Sequence, residues 1–373
     1  VAGGNRAQGI RAARRAFYEG DIAAAIVEQQ RQHGGFMTRA DLAEFRAQVE
    51  EPVQARFGAL TLHGCGPWSQ GPLVLQAARI LDGFELAGMG HNSTAYVHTV
   101  VEALKLAAAD REAWFGDPAR IEIPLAELLS DERVACQRAR IESGRASPGM
   151  PAAAALGGRT PPAWRADPSA GPAPAAASNL ETSYFCVVDS AGNVCSATPS
   201  DPTISGRVVP GTGITTSMWG SRGHTDADHP GRVEGGWRPR MSANPMLAIE
   251  PGRSVTPIGS PGSEVLGQAQ LQVLLNLSVF GMSPQAAVEA PRFASYSWPA
   301  SAIPHTYLPA RLTLEQAIAD DCGEALRALG HDVQRWPQRD WRAGSVCTIH
   351  CDLVSGIRCA GADPRRSAYA IGC

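Results

Sequence analysis

Long apolar runs are missing from this chain of 373 residues: hydrophobic residues make up 44% of it but fall in short stretches. None approaches the roughly 20 residues that cross a bilayer, so no membrane span is predicted. Lysine is almost absent. Lys105 is the only one, and 33 basic residues against 36 acidic ones leave a net charge of −3 without any basic run. A nucleic-acid or acidic-lipid partner is therefore not expected. Paired CxxC spacings are missing too. The cysteines (65, 136, 186, 195, 322, 347, 351, 359 and 373) are odd in number and have no histidine partners at metal-ligand spacing, so no zinc site is predicted. Cys186, Cys195 and Cys347 sit in apolar strand-like runs, where a free thiol acts as a small hydrophobe. This cysteine usage points to a reducing, cytoplasmic setting. The signal-peptide pattern is also missing, although a periplasmic setting stays open if a targeting segment preceded Val1.

What is present is helical first. Ala12 to Gln32 repeats apolar residues near a period of 3.6 and stops at Gly34-Gly35, predicting one helix. Thr38 to Val49 opens with a capping signature, Thr38 with Asp41. Val74 to Leu86 and Ala95 to Trp114 predict two more amphipathic helices, and Val53 to His63 alternates as a short strand pair. The stretch from Ala146 to Asn179 is dominated by Ala, Pro and Gly and is too poor in large apolar residues to order itself. Beyond it, Tyr184 to Ala197 reads as a hairpin with Gly192-Asn193 in its loop. Met246 to Ile249 and Val346 to Cys351 predict strands, and Gln268 to Phe280 and Leu314 to Leu329 predict helices. The expected organisation is a mainly helical part (1–145), a linker (146–181) and an α/β part (182–373).

The chemistry concentrates where the linker meets the first strand, at Glu181-Thr182-Ser183. A threonine hydroxyl is a weak nucleophile unless a base adjoins it. Cutting the bond before Thr182 would free its own α-amine, whose pKa of roughly 7.7 to 8 leaves a useful neutral fraction near pH 7. One residue then supplies nucleophile and base. The alternative is that Thr182 only begins a strand, where β-branched residues are common.

The run from Thr182 to Asn193, TSYFCVVDSAGN, resembles the start of the small subunit of gamma-glutamyltransferases, which are self-processing N-terminal nucleophile hydrolases. Further matches follow in order: Gly34 to Leu42, Glu102 to Arg111, Gly116-Asp117-Pro118, Gly259 to Gly262, Ala290 to Phe293, Gly330-His331 and Gly361 to Arg365. The resemblance implies an α+β fold, a four-layer αββα sandwich built from both halves of a cut chain. It further implies that the N-terminal part of the family fold is truncated here, so that upstream residues or a partner chain would complete the core. The partners implied are a small-molecule amide substrate and the large and small fragments of the precursor, with a further heterodimer expected. No metal or organic cofactor is implied.

Site residues carry over by match. Thr182 would be the nucleophile, and Ser200, eighteen positions on, the second hydroxyl beside it. Gly262 and Ser263 stand where a glycine pair supplies backbone N–H groups to the oxyanion; a serine lacks glycine's freedom at positive φ, so this loop is expected to bend differently. Substrate contacts look altered. Arg238-Pro-Arg-Met-Ser242 keeps only one serine of the family's carboxylate-binding pair, Ser242, and the loop through Trp219 to Arg222 places an arginine where the family has an acid for the substrate ammonium. Arg222 and Arg240 thus point to an acyl group that carries an anion rather than a free γ-glutamyl group, against the alternative that both are solvated. Trp219 belongs to the same substrate loop, and Trp68 either lines the pocket or packs a loop. His224 and His229, with Asp226 and Asp228, form either a cation site or a polar loop, the latter being expected. His91 to Ser93 and His98 are read as helix caps or packing. The resulting expectation is an amide hydrolase or acyltransferase related to oxamate-type amidohydrolases and cephalosporin acylases. The alternative is an uncleaved, inactive relative serving as a structural or binding subunit.

Overall fold

A computed structural model describes residues 5–162, 166–168, 182–201 and 206–372. Internal contacts divide the chain into two compact units, Val1–Glu51 with Asp201–Met218, and Pro52–Ser200 with Trp219–Cys373.

The first unit holds helices α1 (Arg6–Tyr18), α2 (Asp21–Gln32) and α3 (Arg39–Glu44). The single helix predicted over 12–32 is two, because Gly20 turns extended as the N-cap of α2, and a side chain there would meet the Ala16 carbonyl. Asn5 starts α1 with a capping box. The predicted cap of α3 is present: the Thr38 hydroxyl accepts from the Asp41 N–H while the Asp41 carboxylate accepts from the Thr38 N–H at 2.7 Å. That helix ends at Glu44 rather than Val49, where Phe45 turns extended and stacks on Tyr18.

The second unit begins with the predicted hairpin, β1 (Val53–Phe57) and β2 (Leu60–Gly64). Then come α4 (Gly71–Leu81), α5 (Leu86–Met89), α6 (Thr94–Trp114), α7 (Leu125–Leu128) and α8 (Asp131–Arg138). Ser93 caps α6 by accepting from the Tyr96 N–H at 3.2 Å. This helix is buried almost all round rather than on one face. A helix in that position must pair its charges internally. Lys105 donates to Glu102 at 2.7 Å and to the Ser147 carbonyl at 2.8 Å, Arg133 forks onto Asp110, and Arg111 and Glu112 join the site below. Burial lowers the Lys105 pKa against the pull of Glu102. No described helix is long and apolar enough to cross a membrane.

The stretch after residue 145 differs from its expectation. Ala146 and Leu156 are buried, the Ser147 N–H donates to Glu102, and the Met150 N–H donates to the Tyr307 hydroxyl. Its small side chains bury little themselves, but body residues reach out to bind its backbone. Residues 163–165 and 169–181, including Glu181, lie outside the described set.

After the linker come β3 (Phe185–Val188), β4 (Val194–Ala197), β5 (Met246–Glu250), β6 (Ser254–Gly259), α9 (Leu266–Ser278), α10 (Pro284–Glu289), β7 (Phe293–Ser295) and β8 (Arg311–Glu315). The chain closes with α11 (Gln316–Ala328), β9 (Asp332–Trp336), β10 (Cys347–Asp352) and β11 (Arg358–Ala362). Leu314 and Glu315, predicted as helix, belong to β8, whose parallel pairing with β9 across α11 fixes them as strand. The main sheet is antiparallel in the order β1-β2-β5-β6-β10-β11, so strands from both sides of Thr182 join in one sheet at the β2–β5 pairing. Along β6 the residues alternate between faces. Ile258 joins the core shared with α4 and α9, whereas Gly259 meets the Tyr184 ring, which fills the space a Cβ would take. The β3–β4 hairpin, paired Phe185 to Ala197, is thereby seated against the sheet beside β6 and β10.

Candidate active site

Thr182 is half-buried and forms an isolated antiparallel bridge with Ser200, just ahead of β3. Their hydroxyls lie 2.8 Å apart, and the Ser183 N–H donates to the Pro199 carbonyl at 3.0 Å. The hairpin turn at Asp189–Asn193 makes residues so far apart in sequence lie side by side. Tyr184, which sequence reasoning missed, anchors this strand: its hydroxyl lies 2.8 Å from the Ser196 hydroxyl, which donates to the Met246 carbonyl. The signal available was Gly259, a bare position directly before Ser260-Pro261. Thr182 and Pro261 line a common cavity of about 450 Å³ with Tyr184, Ser345, Cys347 and Arg366.

From Ser200 the contacts continue outward. The Trp219 indole N–H donates to the Ser200 carbonyl at 3.0 Å, and the Arg222 guanidinium lies 4.9 Å from the Trp219 ring centre, within cation–π range. Arg222 also donates to the Ser263 hydroxyl at 3.5 Å and stands 3.9 Å from Glu264. The structure thus connects Thr182, Ser200, Trp219, Arg222 and Ser263 in one chain of contacts. Gly262 has φ 137° and Ser263 φ 49°. Ser263 takes a left-handed conformation that residues with a Cβ rarely adopt.

Arg240, expected as a substrate-binding residue, is instead buried, its Nη2 donating to both Glu112 carboxylate oxygens at 2.7 and 2.9 Å and its Nη1 to the Arg111 carbonyl. Glu112 lies 128 positions earlier, so no local pattern announces the pair. Burial alone would raise the Glu112 pKa, but Arg240 and Arg111 hold it well below the usual carboxylate range. Ser242 is buried beside the Met241 N–H bond to the Trp68 carbonyl, and Arg238 covers the Trp68 ring at 5.0 Å.

The polar loop expected around His224 and His229 is not one. Both rings are buried and stack 3.4 Å apart, and His305 stacks on His224 at 3.7 Å. Asp226 and Asp228, the supposed partners, point to solvent. Burial, then the Arg240 charge, pushes His224 down to about 2. His229 falls to about 4, chiefly by burial, although Glu112 accepts from it at 3.2 Å. Among the described residues two buried groups have metal-ligand spacing, Glu112 with His224 and His229, and Glu102 with His98 and His331. In each the carboxylate already serves a cation, Arg111 and Arg240 in the first and Lys105 in the second.

The family model for Gamma-glutamyltranspeptidase matches residues 7–373. The Acylase ACY 1 proenzyme of Pseudomonas sp. (strain SE83) is 31% identical over 354 residues, covering 93% of this chain and 57% of that protein. The Glutathione hydrolase-like YwrD proenzyme of Bacillus subtilis (strain 168) is 30% identical over 362 residues, covering 96% of this chain and 63% of that protein. The crystal structure of cephalosporin acylase from Bacillus halodurans superposes with a TM-score of 0.77 at 25% identity, covering 95% of this chain and 59% of that one. The chain, itself α+β, therefore spans less than two thirds of the length of these relatives, which are hydrolases. With the match running over nearly its whole length, the chain belongs to the gamma-glutamyltranspeptidase family.

Proposed function

We propose that this chain is the greater part of an autoprocessed amide hydrolase whose nucleophile is Thr182. Cleavage before Thr182 frees its α-amine. The amine takes the hydroxyl proton as the oxygen attacks the amide carbonyl, and then gives it to the departing amine. Water, deprotonated by the same group, releases the acid from the acyl-enzyme. The backbone N–H groups of Gly262 and Ser263 meet the developing oxyanion, a contact typically worth about 3 kcal/mol per donor. The observation that carries this reading is the 2.8 Å contact between the Thr182 and Ser200 hydroxyls, made at the first residue of the hairpin in a chain of this family.

On the substrate side, the reading assigns Arg222, flanked by Trp219 and Ser263, to a carboxylate on the acyl group, because a guanidinium forks onto carboxylates. Ser242 remains a candidate second contact. Arg240 is dropped from this role, since Glu112 occupies it. The finer architecture that goes with this reading is a four-layer αββα sandwich formed by a large fragment ending at 181 and a small one starting at Thr182.

Denaturing mass measurement with N-terminal sequencing tests the reading. The wild type should yield two fragments, one starting at Thr182, and Thr182→Ala a single chain. An uncut wild type would leave the inactive binding subunit as the answer. Among substrates, anionic acyl amides should be turned over faster than γ-glutamyl-p-nitroanilide; equal or faster turnover of the latter would remove the Arg222 assignment.

A further inference from the structure

Glu264 directly follows the two candidate oxyanion donors, and it has an unusual environment for a loop acid. Its carboxylate is buried. One oxygen accepts from the Arg111 guanidinium at 3.0 Å and the other from the Ser301 N–H at 2.7 Å. Burial acts to raise its pKa, and Arg111 and the Ser301 bond outweigh that, so the group is ionised. Its own carbonyl accepts from the Gln268 side chain at 3.1 Å. Both arms of this residue are therefore fixed to other elements, α6 on one side and the loop before β8 on the other.

Beside it, Ser263 is held at φ 49°. Left-handed backbone is unfavourable for any residue with a Cβ and persists only where the surroundings over-determine it. The upstream side of the loop is fixed independently. Ser260 accepts from the Ser345 N–H at 3.0 Å, and Gly262 lies so near Gly344 that a Cβ would come 3.4 Å from its Cα. Downstream, the Glu264 side chain ties the turn to α6 and Ser301, while Gln70 donates to the Ser263 carbonyl at the longer distance of 3.4 Å.

We infer that Glu264 is a positioning residue: anchored by Arg111 and the Ser301 N–H, it clamps Ser263 in the left-handed conformation on which the aim of the Ser263 N–H depends. This rests on the proposed role of Gly262 and Ser263 as oxyanion donors. A glycine takes positive φ without strain, so the clamp should matter far less where residue 263 is glycine. A carboxylate that served only to stabilise the fold would not distinguish the two backgrounds.

The test is a double-variant cycle of wild type, Glu264→Gln, Ser263→Gly and the double variant. The probe is glutaryl-p-nitroanilide, with kcat expressed per acylatable Thr182. Glu264→Gln should lower kcat at least tenfold with less than threefold change in KM when residue 263 is serine. In the Ser263→Gly background the same change should cost less than threefold. Equal losses in both backgrounds, or no loss in either, would overturn the inference. Urea unfolding midpoints run through the same cycle without substrate: losing the clamp lets a strained Ser263 relax, which offsets part of the lost contacts, so the shift caused by Glu264→Gln should be clearly larger when residue 263 is glycine, and equal shifts would overturn the clamp. If the wild type neither cleaves before Thr182 nor hydrolyses any amide, the functional reading fails while the urea cycle still decides the clamp. Should Glu264→Gln not fold, Glu264→Asp keeps the charge, shortens the reach and enters the same cycle.

Discussion

Two buried ion clusters share the second unit, and they are built differently. In the one formed by Arg292, Glu315, Asp363 and Arg365, two guanidiniums face two carboxylates. Arg365 forks onto Glu315 at 2.7 and 2.6 Å and also reaches the Val288 and Ala290 carbonyls, while Arg292 pairs with Asp363. Glu315 accepts from the Arg292 and Asp340 N–H groups, and Asp363 from that of Val346. Charge is balanced and spent on joining α10, β8 and the start of β10. The other cluster sets Arg111, Arg222 and Arg240 against Glu112 and Glu264, with neutral imidazoles stacked alongside. Its members extend to Trp219, one contact from the Thr182–Ser200 pair, and to Ser263 in the candidate oxyanion loop. The contrast separates ions that join strands and helices from ions that adjoin the candidate site.

The largest expected effect falls on the balanced cluster. Removing one partner of a buried pair typically costs about 3–5 kcal/mol, so Glu315→Gln should lower the urea midpoint sharply while leaving the ratio of anionic to neutral acyl turnover unchanged. A changed ratio would erase the distinction.

Acid should act on the other cluster. His224 and His229 have folded pKa values below the ordinary 6.5, about 2 and about 4. As pH falls, the unfolded chain binds protons first. Stability is therefore complete above about pH 6.5 and declines as pH falls toward 4, by roughly 1.4 kcal/mol per pH unit for each imidazole. Urea titrations at pH 7, 6 and 5 check this, and His224→Phe should lessen the decline by one imidazole's share, with His229 and the buried His331, lowered to about 3, keeping the rest; a flat wild-type profile would contradict it.

Arg222→Ala should lower kcat/KM for glutaryl-p-nitroanilide about tenfold, equivalent to about 1.4 kcal/mol, and leave a neutral butyryl counterpart within twofold. Loss on both substrates alike would make Arg222 a structural ion like Arg292. The smallest effect is expected from Trp219→Phe. It keeps a ring beneath Arg222 but removes the donor to the Ser200 carbonyl, a bond worth about 1 kcal/mol. The expected fall in kcat is severalfold, with the acyl preference retained.

What the sequence revealed depends on range. The 53–63 and 184–197 hairpins were legible because alternation and turn chemistry act over a few residues, and the caps of α3 and α6 likewise. The juxtaposition of Thr182 and Ser200 followed from family resemblance, and the hairpin supplies its physical cause. Leu314 and Glu315 were misread because a short apolar run suits either period until a partner strand selects one. Arg240, His224 and His229 were misread for a deeper reason: polar residues in a glycine-rich stretch look solvated, and only Glu112 and Arg111, far away in sequence, make their burial affordable. Glu264 went unnoticed since its partners, Arg111 and Ser301, lie on other elements.

The sole lysine has a practical consequence. Lys105 is fully enclosed and committed to Glu102 and the Ser147 carbonyl, which shields it from acylating or aldehyde reagents in the folded state. In a processed molecule the α-amine released at Thr182 would then be an internal attachment point with no side-chain competitor. An amine-reactive fluorophore applied near neutral pH also labels the N-terminal amine of an uncut chain, so maturation would be read as label on the separated fragment that starts at Thr182, and coupling to a solid support through that amine would inactivate the enzyme rather than display it.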